Sequence, residues 1–231
     1  MRNPHETMYI YETHMHTSPV SACACSSPAE QARSYKDRGY AGIIVTDHFV
    51  NGNSGCPRKL PWNKKMEFFA SGYEKAKKEG GPLGLDVFFG WEYNIHGTEF
   101  LTYGLSLDFL MAHPEIESMT AARYSAFIRG EGGYIAQAHP YRDGFWIANP
   151  LPVEPRLIDG VEVYNAGQPA SVNAQAYEFA RLHNLPMQAG SDSHHTDIPF
   201  TSGIALPKKA ESIFDIIAAI KTKQAELIVP R

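Results

Sequence analysis

Short apolar runs alternate along the chain with longer segments in which apolar side chains recur at helical spacing. The short runs are rich in β-branched and aromatic residues, which favour strands. Repeated alternation with short linkers predicts an α/β fold in which a parallel sheet is covered by helices. The predicted strands are residues 8–11, 42–45, 87–89, 99–104, 134–138, 161–164, 185–190 and 227–229.

Capping signals set the bounds of the predicted helices. In the first helix, Ser27 suits the N-cap, Pro28 the first position and Glu30 a capping box, while Gly39 suits a left-handed residue just past the end. The glycines and proline of residues 80–82 are expected to stop the second helix. The other predicted helices are residues 62–79, 121–129, 170–184 and 212–223.

Five segments place metal-binding side chains where a strand is predicted to end. In an α/β barrel these strand ends meet at one rim, so the sequence predicts a multinuclear metal centre there. His14 and His16 alternate with Met15 on extended backbone, so both imidazoles point to one side and can bind one ion. The other four segments are Thr46-Asp47-His48, Gly90-Trp91-Glu92, Ala138-His139-Pro140 and Ser191-Asp192-Ser193-His194.

The mixture of imidazole and carboxylate ligands indicates which metals to expect. It suits Zn, Fe or Mn, whereas an all-oxygen set would favour Mg or Ca. A carboxylate can bridge two ions roughly 3.5–4 Å apart, an arrangement used to hydrolyse phosphate esters. We therefore expect a centre that holds more than one divalent ion.

Size and charge narrow the function classes. The 231 residues fit a single α/β barrel domain, residues 1–231, and the net charge of −4 offers no basic surface for a nucleic acid polymer. Three cysteines argue against a disulfide framework and for a reducing compartment. The first seven residues lack the apolar core of a signal peptide, and no run approaches about 18 apolar residues. We expect a cytoplasmic protein without membrane contact; its oligomeric state is left open.

The five motifs carry a family resemblance. Their order, HxH, TDH, GxE, AHP and SDxH, between about Tyr9 and His195 resembles the PHP (polymerase and histidinol phosphatase) family of metal-dependent phosphoesterases. The resemblance implies a distorted (β/α)7 TIM-like barrel with its active site at the C-terminal strand ends. It also implies two or three divalent metal ions as cofactors. The implied ligands are His14, His16 and Asp192 on one ion, Glu92 bridging to a second ion with His139, and His48 and His194 on a third.

Three departures from the family pattern concern the ligands. Glu12 and Thr13 stand where an Asp usually precedes the HxH pair. Glu99 replaces the usual His of the second ion, with His96 as the alternative. The loop after HxH offers only Cys23 where the family often has Asp or His, so the third position is weak, empty or completed by a thiolate.

Several residues have two readings in the sequence. Asp47 is expected to orient a neighbouring group, leaving His48 as the ligand. Cys23 and Cys25 are expected to be small buried thiols, with metal binding or a redox pair as the alternative.

Arg142 could bind a substrate phosphate or form a surface salt bridge. Phe145 and Trp146 could pack against an apolar leaving group or anchor their loop to the barrel. Cys56 is expected to be an incidental loop thiol.

The resemblance implies hydrolysis of a small phosphomonoester or nucleotide by a metal-bridging hydroxide. Asp192 and His194 are the protein groups expected nearest that chemistry, with Arg142 on the phosphate. The alternatives are a histidinol-phosphate or phosphotyrosine phosphatase, an amidohydrolase-like reaction at carbon, or metals that only stabilise the barrel.

Overall fold

A curved sheet of nine strands forms a nearly closed barrel among the residues that the computed structural model describes, 7–197 and 202–230. The strands are β1 (Tyr9–Met15), β2 (Gly42–Val45), β3 (Asp86–Ile95), β4 (Thr98–Tyr103), β5 (Tyr134–Gln137), β6 (Gly160–Asn165), β7 (Met187–Gly190), β8 (Gly203–Leu206) and β9 (Glu226–Ile228). Their order in the sheet is β7-β6-β5-β4-β3-β2-β1-β8-β9. The predicted α/β barrel is confirmed, but a count of seven strand–helix units is not.

The barrel is drawn together where the segment after β7 meets β1. The backbone N–H of Asp192 donates to the carbonyl of His14, and the N–H of His16 donates to the carbonyl of Ser193, both at 2.8 Å. The first and last motifs of the chain therefore lie side by side, although about 180 residues separate them in sequence.

The sheet is mixed, so the expectation of a parallel sheet is wrong in part. Strands β1–β3 and β5–β7 are parallel, whereas β4 runs antiparallel to β3 and β5, and β8 runs antiparallel to β1 and β9. A tight turn at His96 and Gly97, both at positive φ, joins β3 to β4 without a helix. Because β4 is reversed, its first residues lie at the rim where its parallel neighbours end.

Two strands run further than predicted. β1 continues through His14 to Met15, and β3 continues through Glu92 to Ile95. The sequence pattern predicts that His14 and Glu92 follow the strand ends, whereas they lie within the strands and point into the barrel mouth. β8 was not predicted.

The helices cover the outside of the sheet. Ser27 and Glu30 form the predicted capping box, and Gly39 is left-handed. The predicted stop at residues 80–82 is wrong: the second helix includes Pro82 in its last turn and ends at left-handed Gly84. The helices are α1 (Pro28–Asp37), α2 (Trp62–Leu83), α3 (Leu107–Ala112), α4 (Ala121–Gly130), α5 (Ala170–Leu182) and α6 (Ile213–Lys221), with 3-10 turns at Pro114–Ser118 and Pro155–Leu157.

Apolar packing lies mainly between sheet and helices, whereas the barrel interior is partly polar. Inside it, the Tyr103 hydroxyl donates to the carbonyl of Thr13 at 2.7 Å and accepts from the Gln188 amide at 2.8 Å. Both residues are buried. Within the described residues, none of the helices has the length and apolar character needed to cross a bilayer. The expectation about a signal peptide concerns residues 1–7, of which 1–6 lie outside the described part.

Candidate metal centre

All the side chains predicted as metal ligands converge at the barrel mouth. β1, β3 and β4 position three of them directly, and the loops after β1, β2, β5 and β7 position the others. Most are buried, and His194 is the most accessible, with 24% of its side chain exposed. The converging residues are His14, His16, His48, Glu92, Glu99, His139, Asp192 and His194.

The HxH pair and Asp192 form the first group of ligand atoms. His14 Nε2 and His16 Nε2 lie 3.1 Å apart. Asp192 Oδ1 lies 3.4 Å from His14 Nε2 and 3.1 Å from His16 Nε2. One cation can contact all three atoms, as the resemblance implied for the first ion.

Glu92 lies between the imidazoles and faces them with both oxygens. Its Oε1 is 3.2 Å from His14 Nε2 and 3.0 Å from His139 Nε2. Its Oε2 is 2.7 Å from His48 Nδ1 and 3.5 Å from His16 Nε2. This position between two groups of ligands is that of a bridging carboxylate.

Glu99 rather than His96 completes this side of the cluster. Its carboxylate lies 3.7 Å from His48 Nδ1 and 3.6 Å from His139 Nε2. His96 is exposed at the tip of the β3–β4 turn. Three imidazoles, those of His16, His48 and His194, form a further group that could hold an ion.

The unpaired atoms of the cluster fit divalent cations. His48 Nδ1 and Glu92 Oε2 are buried and have no hydrogen-bond partner, although they lie 2.7 Å apart. Leaving buried polar atoms without partners costs free energy, typically about 1–3 kcal/mol each. A cation shared by the two atoms would remove that cost, and nitrogen with carboxylate oxygen is a donor set suited to Zn, Fe or Mn.

Two buried carboxylates fix which nitrogen of the HxH imidazoles faces the centre. Glu162 Oε1 lies 2.9 Å from His14 Nδ1, so that nitrogen carries the proton and Nε2 is free to bind a cation. His16 Nδ1 lies 3.0 Å from Ser21 Oγ, which itself donates to Asp47 Oδ1 at 2.7 Å. His16 is therefore held in the same tautomer. Asp47 orients a neighbouring imidazole through Ser21, as predicted.

Glu162 is the principal residue that the sequence reading missed. Besides holding His14, its Oε2 accepts from the backbone N–H of His139 at 3.0 Å and from the Asn165 amide at 2.9 Å. It could also join His14 and His139 around an ion. The sequence does contain a signal for Glu162, which is a carboxylate within the apolar strand β6. Such a residue is rarely buried without a specific partner.

Backbone geometry at the motifs is unusual. His139 and Asp192 both have positive φ, 27° and 54°, a conformation that costs non-glycine residues free energy. At Gly190 an added Cβ would lie 2.5 Å from His14 Cβ and 2.6 Å from Glu162 Oε1. Glycine there permits the contact between Glu162 and His14.

Glu12, at the family's Asp position, supports the backbone instead of facing the centre. Its Oε1 accepts from the N–H groups of Thr13, His14 and Ser191 at 2.8–2.9 Å. Burial raises the pKa of Glu12 to about 7 despite these hydrogen bonds. The carboxylate thus ties β1 to the loop after β7.

The carboxylates raise the pKa of three imidazoles. Burial alone would lower the pKa of His14, but Glu162 and the other carboxylates bring it well above its usual value. Burial is likewise outweighed by Glu92 at His48 and His139, so their pKa values are raised as well. A protonated imidazole has no free nitrogen, so each of these three side chains must release a proton before it can bind a cation.

The acidic ligands divide into two kinds. Burial raises the pKa of a carboxyl, but the charge of His14 lowers the pKa of both Glu92 and Asp192 well below the usual value. Burial and the neighbouring Glu92 raise the pKa of Glu99. Glu92 and Asp192 are therefore ready as anionic ligands.

A cavity of about 430 Å³ opens beside the cluster. Arg142 Nη1 lies in its wall, 3.5 Å from Glu99 Oε2 and 3.9 Å from Asp192 Oδ2, with its guanidinium 5.7 Å from the Trp146 ring centre. Arg142 thus lies at the centre rather than in a distant surface pair. Trp146 is half exposed and lines the cavity, and Phe145 is almost fully exposed.

The expectation that Cys23 and Cys25 are small buried thiols is wrong. Cys23 and Cys25 are exposed and Cys56 is buried. The loop between β1 and α1 runs over the cluster, so Cys23 lines the cavity instead of packing into the core. His195 pairs with exposed Asp197 away from the ligands.

Comparisons with known proteins concern the last motif and the fold. The model of the PHP-associated family matches residues 170–197, which include α5, β7 and the SDxH motif. A comparison with curated protein sequences finds no significant match.

Three solved structures have similar folds at low sequence identity. One is a two-domain protein containing a predicted PHP-like metal-dependent phosphoesterase from Bacteroides vulgatus (17% identity, TM-score 0.73, covering 96% of this chain and 65% of that chain). The second is the lesion-specific endonuclease PfuEndoQ from Pyrococcus furiosus (12%, 0.65, 96% and 58%). The third is an amidohydrolase from Chromobacterium violaceum (15%, 0.56, 90% and 96%).

The first two structures are longer than this chain, which spans 65% and 58% of their lengths. Their shared barrel establishes the fold, and the family match covers the segment that carries Asp192 and His194. The chain has the fold of the PHP proteins, and the resemblance predicted from its five motifs is confirmed.

Proposed function

We propose that this chain is a metal-dependent hydrolase that cleaves the ester bond of a small phosphomonoester or nucleotide. The observation that carries the proposal is the cluster of five imidazoles and three carboxylates beside a cavity, in which His48 Nδ1 and Glu92 Oε2 are buried without hydrogen-bond partners. Divalent ions bound there would polarise the phosphoryl group and acidify a water for attack on phosphorus.

The chain's own residues bind, orient and exchange protons. Arg142 is placed to bind phosphate oxygens with its planar guanidinium while the bound ions offset its present contacts with Glu99 and Asp192. His194 Nδ1 donates to the carbonyl of Asp192 at 2.8 Å, so its Nε2 is the nitrogen available to cation or substrate. When no third ion is bound, His194 can pass a proton to the leaving oxygen.

The cavity and the charge favour a small substrate. A volume of about 430 Å³ is in the range of small-molecule sites, and the net charge of −4 is unfavourable for a nucleic acid polymer. Arg142 favours phosphate over a neutral amide. An amidohydrolase reaction remains the second candidate, because the same ligands can activate a water against carbon. Histidinol phosphate and phosphotyrosine are the alternatives within the phosphomonoesters.

A metal-resolved assay tests the proposal. The purified protein is analysed for bound metals, freed of them with chelator, and reconstituted with Zn, Mn or Fe. Each form is assayed with p-nitrophenyl phosphate, metabolite phosphates and N-acyl amides. We expect phosphatase activity that disappears on metal removal and returns on reconstitution. Activity that survives thorough metal removal would overturn the proposal, and activity on amides alone would replace it with the second candidate.

A further inference from the structure

The loop between β1 and α1 holds Cys23 at a fixed place over the centre. On one side of this residue, the N–H of Ala22 donates to the carbonyl of Asn53 at 2.9 Å. On the other side, the N–H of Cys25 donates to the carbonyl of His194 at 2.8 Å. Backbone hydrogen bonds on both sides therefore set the position of the thiol, and one of them ties its loop directly to a predicted ligand.

The thiol of Cys23 faces imidazoles. Its side chain lines the same cavity as the imidazoles of His48 and His194. His16 joins these two imidazoles in one potential cation group, and its ring lies 4.3 Å from the ring of His48 and 4.2 Å from that of His194, centre to centre. This group of three imidazoles contains no carboxylate of its own, so a thiolate from Cys23 would supply it with an anionic ligand.

A second observation indicates that this side of the centre binds a ligand. His48 Nδ1 is buried and has no hydrogen-bond partner. Its side chain is only 8% exposed, so bulk water does not provide a ready partner. His48, which lines the cavity beside Cys23, therefore also carries a buried nitrogen without a hydrogen-bond partner at the centre, 2.7 Å from Glu92 Oε2.

We propose that Cys23 is a thiolate ligand of the third metal position, together with His48 and His194. Sulfur with imidazole nitrogen is a donor set for Zn and similarly soft divalent ions, whereas Mg and Ca prefer oxygen. The third position would then select its metal differently from the positions built on Glu92 and Asp192. This inference rests on the metal centre of the proposed function, but not on which bond the protein cleaves.

Cobalt substitution tests the ligand directly, without any assay of activity. Metal-free protein is titrated with Co²⁺ and its spectrum is recorded. A thiolate ligand produces a near-ultraviolet sulfur-to-cobalt charge-transfer band, and imidazole and carboxylate ligands alone produce only the weaker visible bands. We expect the charge-transfer band in the wild type and in Cys25→Ser, the matched control two residues away. We expect its loss in Cys23→Ser, with one fewer equivalent of tightly bound metal.

The outcomes separate this inference from the proposed function. Visible cobalt bands without a charge-transfer band in the wild type, or a band that persists in Cys23→Ser, would overturn the thiolate ligand and leave the metal centre intact. A protein that binds no cobalt at all would overturn both. Equal loss of the band in both serine variants would indicate general loop disruption and also overturn the assignment. Circular dichroism of each variant checks that the barrel is folded.

Discussion

At the scale of single residues, Glu92 and Glu99 differ in how many ligands they face. Glu92 approaches four imidazoles with its two oxygens, at 2.7–3.5 Å, whereas Glu99 approaches two at 3.6–3.7 Å. The pKa of Glu92 is lowered and that of Glu99 is raised, so Glu92 is the stronger anionic ligand. These contacts favour a bridging role for Glu92 and a peripheral one for Glu99 in the proposed metal centre.

We therefore expect Glu92→Gln to reduce turnover much more than Glu99→Gln. Changes at supporting positions of metal sites typically cost about 10- to 100-fold in affinity or activity, which is the loss expected for Glu99→Gln. Glu92→Gln should lose roughly tenfold more, because it removes an anion shared between ions. Steady-state kcat/KM and bound metal per chain measure both effects. Glu154→Gln, at an exposed carboxylate, is the control, and equal losses at positions 92 and 99 would refute the assignment.

The sequence pattern could identify the candidate ligands, but it could not identify the residues that orient them. A polar side chain beside an apolar strand marks His14, Glu92 and His139 without knowledge of the fold. Glu162 and Ser21 act through contacts with residues distant in the chain, and nothing local distinguishes a serine that bridges His16 from any loop serine.

At the scale of elements, the polarity pattern located most strands but misjudged where they end. β1 and β3 continue through their ligand residues because a barrel mouth tolerates buried polar side chains when these contact one another. The reversal of β4 depends on the turn at His96, whose left-handed conformation is uncommon for a residue other than glycine. The sequence pattern therefore could not reveal the direction of β4. The reversed direction of this strand is what places Glu99 at the centre.

Helix α2 packs closely against the network that orients His16. At Gly72 an added Cβ would lie 2.3 Å from Asp47 Oδ2 and 2.5 Å from Thr17 Oγ1. Asp47 accepts from the Thr17 backbone and hydroxyl, both at 2.6 Å, and from Ser21. The glycine thus lets the helix approach a buried carboxylate that has to keep its position.

Gly72→Ala is expected to destabilise the protein and weaken metal binding. Alanine favours a helix over glycine by about 1 kcal/mol, but displacing the Asp47 network should outweigh this with a loss of about 1–3 kcal/mol. Gly130→Ala is the matched control, because no atom lies within 4 Å of its added Cβ and it should be neutral or slightly stabilising. Urea unfolding of the metal-free proteins measures the difference. Equal stability of the two variants would show that the network adapts.

At the scale of the whole molecule, the centre joins segments from His14 to His194. A ligand that binds only the folded chain raises its free energy of unfolding, so bound metal should stabilise the entire barrel. The size of this effect should depend on pH, because protons compete with cations for the imidazoles. Burial also raises the pKa values of Glu12 and Asp47, to about 7 and about 6, but neither carboxyl is among the candidate ligands.

The direction of the pH effect follows from the raised pKa values of His14, His48 and His139. In the metal-free protein these groups contribute stability below the unfolded histidine pKa of about 6.5, and that stability is lost as pH rises through the higher folded values. Metal binding changes in the opposite direction, because fewer protons must be displaced at higher pH. The same imidazole protons account for both changes, so the stabilisation by metal increases as pH rises.

We therefore expect zinc or manganese to raise the midpoint of thermal unfolding more at pH 8 than at pH 6. Differential scanning calorimetry of chelator-treated and metal-loaded protein at the two pH values measures this difference, with the free metal concentration buffered. In a variant with His48→Ala and His139→Ala two of the three competing protons are gone, so its pH dependence should be smaller. A stabilisation that is constant, or larger at pH 6, would mean that the imidazoles are already unprotonated in the metal-free barrel and that its carboxylates do not raise their pKa values.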